Sequence, residues 1–297
     1  MKLFKHNFLP LFLFIITILG LPAYTEEKII ISAIPDQSPQ KLNRLYKKLA
    51  DELSNTLNVE IEYKPVINYQ AAVSAFRSES LDLVWFGGLT GVQARLQKPG
   101  SLVLAQRDID AKFHSLFIVN KSTGIKPLKK IEDLKILKGR RFTFGSETST
   151  SGRLMPQFFL EQANIKTHDF NGGRAGFSGS HDATIALVAS GSYEAGVLNE
   201  QVWKDNLKSR NIDSNNIIVI WRTPPYADYH WLAQPDLDER FGENFTLKLQ
   251  ETILKLNTNI SKQKEILDLF GAQKFIRAYD YQYNDIETIG RKLGKIR

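Results

Sequence analysis

Strand and helix patterns alternate three times over residues 28–96, which restricts the chain to a small group of α/β folds. The strand patterns are short and apolar, and the helix patterns carry apolar residues at three- and four-residue steps. The strands are expected at 28–34, 59–63 and 81–86, and the helices at 39–57, 68–76 and 90–96. Such alternation predicts a mainly parallel sheet flanked by helices.

The pattern restarts near residues 117–120, where we expect the chain to cross into a second lobe of the same kind. A second crossing is expected at Pro224-Pro225, followed by helices at 245–257 and 262–275 that return to the first lobe. The predicted organisation is a signal peptide at 1–25, a first lobe at 26–118 plus 225–297, and a second lobe at 119–224. The fold class is therefore α/β, with two lobes joined by a two-segment hinge.

The first 25 residues have the pattern of an export signal. Lys2 and Lys5 precede an apolar run at 8–21, and small residues follow near Ala23. The run is short for a membrane span, although an uncleaved anchor stays as the alternative. The chain contains no cysteine, so no lipid-anchor cysteine, disulfide or thiolate metal site is expected. The predicted location is periplasmic.

The formal charge of +7 falls to +5 when Lys2 and Lys5 are removed with the signal. The remaining positive charge is spread along the chain, which is typical of a solvated surface. Basic residues are not interleaved with aromatic ones, so we expect no nucleic-acid partner.

Residues 145–153 form a hydroxyl-rich loop between a strand pattern at 141–144 and a helix pattern at 154–161. Ser149, Thr150 and Ser151 would place hydroxyl groups, backbone N–H groups and the positive end of a helix dipole around one point. That combination binds a compact anion without a cation. The alternative is a plain serine or threonine N-cap. Pro156 implies that the helix either starts after Ser151 or bends.

Three other loops lie where a strand runs into a helix, the edge at which open parallel sheets bind ligands. They contain Tyr69, Phe86-Gly87 and Ser180-His181. With the hydroxyl-rich loop, two of the four loops come from each lobe, so a ligand is expected in the cleft between them. Tyr69 could instead be a buried aromatic at a helix start, Gly87 a structural turn, and His181 incidental. If His181 contacts an anion, its protonation near pH 6.5 would add positive charge.

Ser151, His181 and Asp182 have the residue types of a hydrolytic triad, so a hydrolase is an alternative. The chain lacks a G-x-S-x-G motif, an H-E-x-x-H zinc motif and a G-x-x-x-x-G-K-[ST] phosphate loop. His181 and Asp182 are also adjacent, which hinders the aspartate from orienting the histidine. We therefore expect a protein that is not an enzyme and needs no cofactor or metal.

The chain resembles the phosphate-, phosphite- and phosphonate-binding subunits of ABC importers, which are type II periplasmic binding proteins. The matching segments are 68–69, 82–87, 149–152 and 180–182. The resemblance implies that a small tetrahedral oxyanion is bound and handed to a permease and ATPase in the inner membrane, by a monomer. It assigns ligand contacts to Tyr69, Phe86, Gly87, Ser149, Thr150, Ser151, His181 and Asn199.

Two departures from the family pattern bear on the ligand. Phe86 replaces a tyrosine that often precedes Gly87, and Asn199 aligns with an acidic ligand residue. Asparagine can donate a hydrogen bond where a carboxylate repels, so discrimination against sulfate-like anions should weaken. Residues 85–91 also resemble a branch proposed to carry selenate. The open alternatives are a selenate- or sulfate-binding protein and a ligand sensor for a membrane kinase.

Overall fold

The computed structural model describes residues 27–209 and 216–297. The predicted signal at 1–25 lies outside the described residues. Within them, none of the helices is both long and apolar enough to cross a membrane. The strands are β1 (Ile29–Ala33), β2 (Ile61–Tyr63), β3 (Leu83–Phe86), β4 (Leu102–Arg107), β5 (Ser115–Asn120), β6 (Phe142–Phe144), β7 (Gly176–Phe177), β8 (Ala195–Asn199), β9 (Ile217–Arg222), β10 (His230–Ala233) and β11 (Phe275–Arg277).

Helices cover the faces of both sheets. The α-helices are α1 (Pro39–Leu57), α2 (Tyr69–Arg77), α3 (Gly88–Gln97), α4 (Met155–Gln162), α5 (His181–Ala189), α6 (Glu200–Lys208), α7 (Leu237–Phe241), α8 (Phe245–Leu254), α9 (Ser261–Phe270) and α10 (Asn284–Lys292). In α1 the leucines at 42, 45, 49 and 53 are buried, as their spacing predicts.

The first lobe contains a six-stranded sheet in the order β11-β4-β10-β3-β1-β2. Strand β1 pairs in parallel with β2 and β3, and helices α1 and α2 form the crossovers from β1 to β2 and from β2 to β3. Strand β10 lies antiparallel between β3 and β4, and β11 pairs antiparallel with β4. Ile29 and Ile31 are fully buried on one face of β1, and Ile30 packs partly buried on the other, as expected for an apolar run covered on both faces.

The second lobe contains a five-stranded sheet in the order β7-β6-β8-β5-β9. Strand β6 pairs in parallel with β7 and β8, whereas β5 is antiparallel to β8 and β9. Both sheets are thus mixed, with the antiparallel pairings at strands near the crossings. The predicted α/β architecture of two lobes is confirmed.

The chain crosses between the lobes twice, from β4 to β5 and from β9 to β10. The two crossing segments are bridged by an antiparallel pair. The Phe113 N–H donates to the Tyr226 carbonyl at 2.7 Å, and the Tyr226 N–H donates to the Phe113 carbonyl at 3.0 Å. All of β5 lies in the second sheet, so a boundary at residue 118 would divide a strand. We therefore propose hinge segments at 108–114 and 223–229.

Several predicted boundaries differ from the structure. The helix expected at 262–275 ends at Phe270, because Gly271 adopts a left-handed conformation (φ 67°) and strand β11 follows. The helix expected at 245–257 ends at Leu254. Strands β4 and β10 had no predicted counterpart, and both lie beside a crossing.

Candidate functional site

The hydroxyl-rich loop between β6 and α4 begins with a helix cap. The Ser149 hydroxyl accepts a hydrogen bond from the Gly152 N–H at 2.9 Å, and residues Thr150–Leu154 form a π-helical turn before α4. Ser149 is therefore the N-cap considered in the sequence analysis. Thr150 and Ser151 follow it inside the turn, and both are buried.

Pro156 explains the unusual first turn. In a π-helix the carbonyl of Ser151 would accept from residue 156, but proline has no N–H to donate. The Ser115 hydroxyl supplies the missing donor, at 2.7 Å from the Ser151 carbonyl, and Ser115 is paired at 2.6 Å with the Tyr226 hydroxyl. The loop is thereby fixed to the second crossing segment, and the predicted disturbance at Pro156 is a change of helix type.

Thr150 joins the two lobes directly. Its hydroxyl accepts a hydrogen bond at 2.9 Å from the Leu89 N–H in the first turn of α3. A Cβ on Gly87 would lie 3.2 Å from this hydroxyl and 3.3 Å from an Asp228 oxygen, so the lobes meet where the glycine has no side chain. Gly87 is therefore a position of close approach.

Asp228 is a buried carboxylate at this meeting point that the sequence analysis missed. Its Oδ1 accepts from the Gly88 N–H at 3.0 Å, and its Oδ2 has no hydrogen-bond partner in the described residues. Burial raises the pKa of Asp228 to about 7, against the lowering effects of Gly88, Thr150 and Ser151. The sequence feature that could have identified Asp228 is its position shortly after Pro224-Pro225. That segment was interpreted only as a crossing between the lobes.

Two hydroxyl groups beside Asp228 also lack partners. The Tyr69 hydroxyl from the first lobe and the Ser151 hydroxyl from the second are buried and form no hydrogen bond within the described ranges. Polar contact with Ser151 lowers the pKa values of Asp228 and Tyr226, and polar contact with Ser149 lowers that of Tyr69. These groups therefore face one another, although none of the contacts has the distance and angles of a regular hydrogen bond. Buried polar atoms are normally paired, so three such atoms together indicate a ligand site.

His181 lies beside the same loop. A Cβ on Gly152 would lie 3.1 Å from the imidazole Cε1, and the ring Nδ1 accepts from the Asn199 N–H at 3.4 Å. Burial lowers the pKa of His181 to about 3, so the imidazole is neutral at physiological pH. The expectation of protonation near pH 6.5 is therefore wrong for this arrangement.

Asp182 does not orient the His181 ring. Its two carboxylate oxygens accept from the Ser38 N–H at 2.8 Å and from the Asn206 side chain at 3.0 Å. The imidazole Nε2 lies instead 3.4 Å from the Tyr229 hydroxyl. The hydrolytic triad considered from sequence is therefore not assembled.

Asn199 and Tyr229 belong to a buried chain of hydrogen bonds. The Asn199 oxygen caps α6 by accepting from the Val202 N–H at 2.7 Å, and its nitrogen donates to the Tyr229 hydroxyl at 3.0 Å. That hydroxyl donates to Asp36 at 3.0 Å, and burial raises the pKa of Asp36 to about 6. Asn199 as an anion donor stays a prediction; Asp36 and Tyr229 were not predicted.

Phe86 contributes to the core of the first lobe. Its ring is fully buried and packs edge-on against Phe76, with centroids 5.8 Å apart. The neighbouring Trp85 stacks on Tyr229 at 5.7 Å and so supports the crossing segment. A role for Phe86 in ligand contact stays a prediction.

Two lobes with two crossing segments, and polar groups from both lobes at one point, define the class of type II periplasmic binding proteins. A model of the periplasmic substrate-binding proteins of phosphonate ABC transporters matches residues 31–283, and the chain belongs to this family. The resemblance noted from sequence is confirmed.

The relatives carry the names of phosphorus-anion binders. The chain is 55% identical over 277 residues, 93% of each protein, to the probable ABC transporter phosphite-binding protein PhnD1 of Prochlorococcus marinus MIT 9301. The solved structure of that PhnD1 with methylphosphonate has a TM-score of 0.89 at 56% identity, covering 90% of this chain and 98% of the other. A binding protein of a Pseudomonas aeruginosa phosphonate transporter shares the fold, with a TM-score of 0.78 at 21% identity, covering 91% and 87%.

Proposed function

We propose that this protein is the periplasmic substrate-binding subunit of an ABC importer and captures a small phosphonate or phosphite between its lobes. The observation that carries the proposal is the group of three buried, unpartnered polar atoms on Tyr69, Ser151 and Asp228. They come from the first lobe, the second lobe and a crossing segment. The acceptor oxygens of an oxyanion would accept from the two hydroxyl groups, and a proton held between the anion and Asp228 would give the carboxylate oxygen its partner.

Most of the site is electrically neutral, which suits a dehydrated anion. Hydroxyl groups and helix N-termini supply positive partial charges, and the imidazole of His181 is uncharged at physiological pH. Arg107, a buried cation near the site, is already held by Asp110 through bonds of 2.7 and 2.8 Å. The ligand would therefore be bound by dipoles, as the loop motif predicts.

Asp228 supplies a reason to prefer phosphorus anions over sulfate or selenate. A phosphonate or phosphite can carry a proton near neutral pH and donate it to the free Asp228 oxygen, whereas sulfate cannot. An ionised Asp228 carboxylate would repel sulfate, so sulfate could bind only when Asp228 is protonated. The family pattern has an acidic ligand residue where this chain has Asn199, and Asp228 would supply that carboxyl group instead. Selenate is then the less favoured ligand.

Titration calorimetry against methylphosphonate, phosphite, phosphate, sulfate and selenate tests this proposal. We expect tight binding of methylphosphonate or phosphite and much weaker binding of sulfate and selenate. In Asp228→Asn, affinity for methylphosphonate should fall and the preference over sulfate should shrink. A matched control is Asp133→Asn, whose carboxylate caps backbone N–H groups within the second lobe at 3.2 Å. Equal binding of sulfate and methylphosphonate by the wild type would refute the assignment.

Delivery to a permease forms the second part of the proposal. It rests on membership of a family of ABC transporter subunits. The cognate permease and ATPase, reconstituted in lipid vesicles, should hydrolyse ATP faster when the liganded protein is added. Stimulation of a membrane kinase with no effect on the transporter would instead support the sensor alternative.

A further inference from the structure

We propose that Asp182 is a latch that holds the two lobes closed over the bound anion. The inference rests on the proposed function, because it concerns how long a captured ligand stays in the site. Asp182 lies on α5 in the second lobe and reaches the start of α1 in the first. It adjoins His181 in sequence, so closure and ligand contact would be linked through one turn of helix.

The Asp182 carboxylate binds the N-cap residue of α1. The Ser38 side chain makes no capping hydrogen bond, although serine is a favoured N-cap residue. Instead the Ser38 N–H donates to Asp182 Oδ2 at 2.8 Å, across 144 residues of sequence. The carboxylate thus lies at the positive end of a 19-residue helix, where a negative charge is favourable.

The carboxylate is held in position from its own lobe. The Asn206 side chain on α6 donates to Asp182 Oδ1 at 3.0 Å and to the Val202 carbonyl at 2.9 Å. One oxygen is therefore fixed within the second lobe while the other crosses the cleft. This arrangement orients the carboxylate before the lobes meet.

A reciprocal bond completes the contact between the two segments. The His181 N–H donates to the Asp36 carbonyl at 3.0 Å, while Ser38 donates to Asp182 in the opposite direction. Asp36 also accepts from Tyr229 in the chain that reaches His181. Movement of α5 away from α1 would break both cross-lobe bonds at once.

An ion pair at the rim adds a weaker contact nearby. Lys41 of α1 lies 3.0 Å from Asp205 of α6, with about a quarter of each side chain exposed. These residues line an open groove of about 710 Å³ that also includes Arg44, Lys208 and Asp268. Ser38, Asp182 and Asn206 line the same groove, so salt should weaken both the ion pair and the Asp182 contact.

Stopped-flow kinetics with methylphosphonate and with phosphite separate a latch from a structural role. A latch forms after the anion has entered, so Asp182→Asn should raise the dissociation rate about tenfold, while the association rate changes little. The melting temperature of the unliganded protein should stay at that of the wild type. Asp133→Asn, the same substitution at a carboxylate that does not cross the cleft, should change neither rate.

A second variant tests the Asp182 contact without changing Asp182 itself. Asn206→Ala keeps the Asp182 charge but removes its orienting donor, so it should raise the dissociation rate by a smaller factor. Dissociation rates of both variants equal to those of the wild type would overturn the latch, with the proposed function intact.

Lobe distances measured at saturating methylphosphonate give a readout that does not depend on rate constants. The chain has no cysteine, so spin labels can be placed on cysteines introduced at the exposed positions Asn55 and Lys166, one in each lobe. Asp182→Asn should lower the closed fraction relative to the wild type. Failure of the wild type to bind methylphosphonate and phosphite would refute the proposed function. Binding by the wild type, with an equal closed fraction in both liganded proteins, would overturn the latch alone.

Discussion

At the scale of single residues, Asp228 brings a negative charge into a site proposed for an anion, and burial decides how that charge behaves. With a pKa of about 7, the carboxyl group is present at neutral pH in both its protonated and its ionised form. A nearby bound anion would favour the protonated form further. Asp228 can therefore act as a donor or as an acceptor, depending on whether the ligand carries a proton.

The raised pKa of Asp228 also predicts how stability depends on pH. The folded state holds a proton that the unfolded state releases above about pH 4, so this group makes the protein less stable as pH rises towards 7. Asp228→Asn removes the titration. The variant should match the wild type near about pH 4 and exceed its free energy of unfolding by about 1–3 kcal/mol near pH 8. Urea unfolding at both pH values measures the difference, and a constant difference would contradict it.

Ser149 and Ser151 should respond differently to the same substitution. Ser149 caps the helix, so Ser149→Ala should cost about 1 kcal/mol of stability. Ser151 has no hydroxyl partner in the described residues, so Ser151→Ala should leave stability nearly unchanged and weaken methylphosphonate binding about ten- to a hundredfold. Thermal unfolding and calorimetry of both variants test this. Full affinity in Ser151→Ala would mean that its hydroxyl does not contact the ligand.

At the scale of elements, the turn from β6 into α4 depends on a glycine as much as on hydroxyl groups. The Gly145 N–H donates to the Gly152 carbonyl at 2.8 Å, which brings the two glycines together under the His181 ring. The turn is thus too crowded for a side chain, and its backbone is held for ligand contact.

Gly152→Ala should therefore disturb both folding and binding. Its Cβ would lie 3.0 Å from the Ser149 hydroxyl, 3.1 Å from the His181 ring and 3.2 Å from Gly145 Cα, all tighter than ordinary contacts. We expect a loss of about 1–3 kcal/mol in stability and weaker methylphosphonate binding. Gly139→Ala is a control in open space, although its left-handed backbone (φ 72°) should add a stability cost without affecting binding. Unchanged affinity in Gly152→Ala would contradict the crowding argument.

The sequence was informative where local pattern determines structure. The leucine spacing predicted α1, and the Ser-Thr-Ser loop offered a serine or threonine N-cap as its alternative, which Ser149 fills. Both depend on near neighbours in the chain. Strand β10 was missed because its antiparallel position between β3 and β4 depends on where the chain returns after the second lobe. Its four buried residues have no alternation to mark them.

The site was only partly predictable for the same reason. Thr150, Ser151, Tyr69 and His181 lie at strand-to-helix turns, which general rules identify as binding positions. Asp228 lies on a crossing segment, where a polar residue can have either a structural role in the crossing or a role in ligand binding. Its burial and its missing partner are long-range properties that follow from the packing of both lobes, so no local pattern marks it.

At the scale of the whole molecule, the described lobes are in direct contact around the proposed site. The Leu89 N–H donates a hydrogen bond to the Thr150 hydroxyl, and the His181 N–H donates one to the Asp36 carbonyl. Each of these bonds joins one lobe to the other. The two crossing segments are tied by the Phe113–Tyr226 bridge, so the lobes can rotate about this pair without separating. The arrangement is that of a closed binding protein.

Closure on ligand binding should therefore be measurable in solution. The cross-lobe bonds are few, and the buried atoms of Tyr69, Ser151 and Asp228 gain partners only when an anion lies between them, so the ligand should shift the population towards the closed form. Small-angle X-ray scattering should give a smaller radius of gyration with saturating methylphosphonate than without it. Asp133→Asn, which keeps every cross-lobe bond, should contract as the wild type does. Identical profiles with and without ligand, in a protein that calorimetry shows to be saturated, would mean that the anion enters lobes that are already closed.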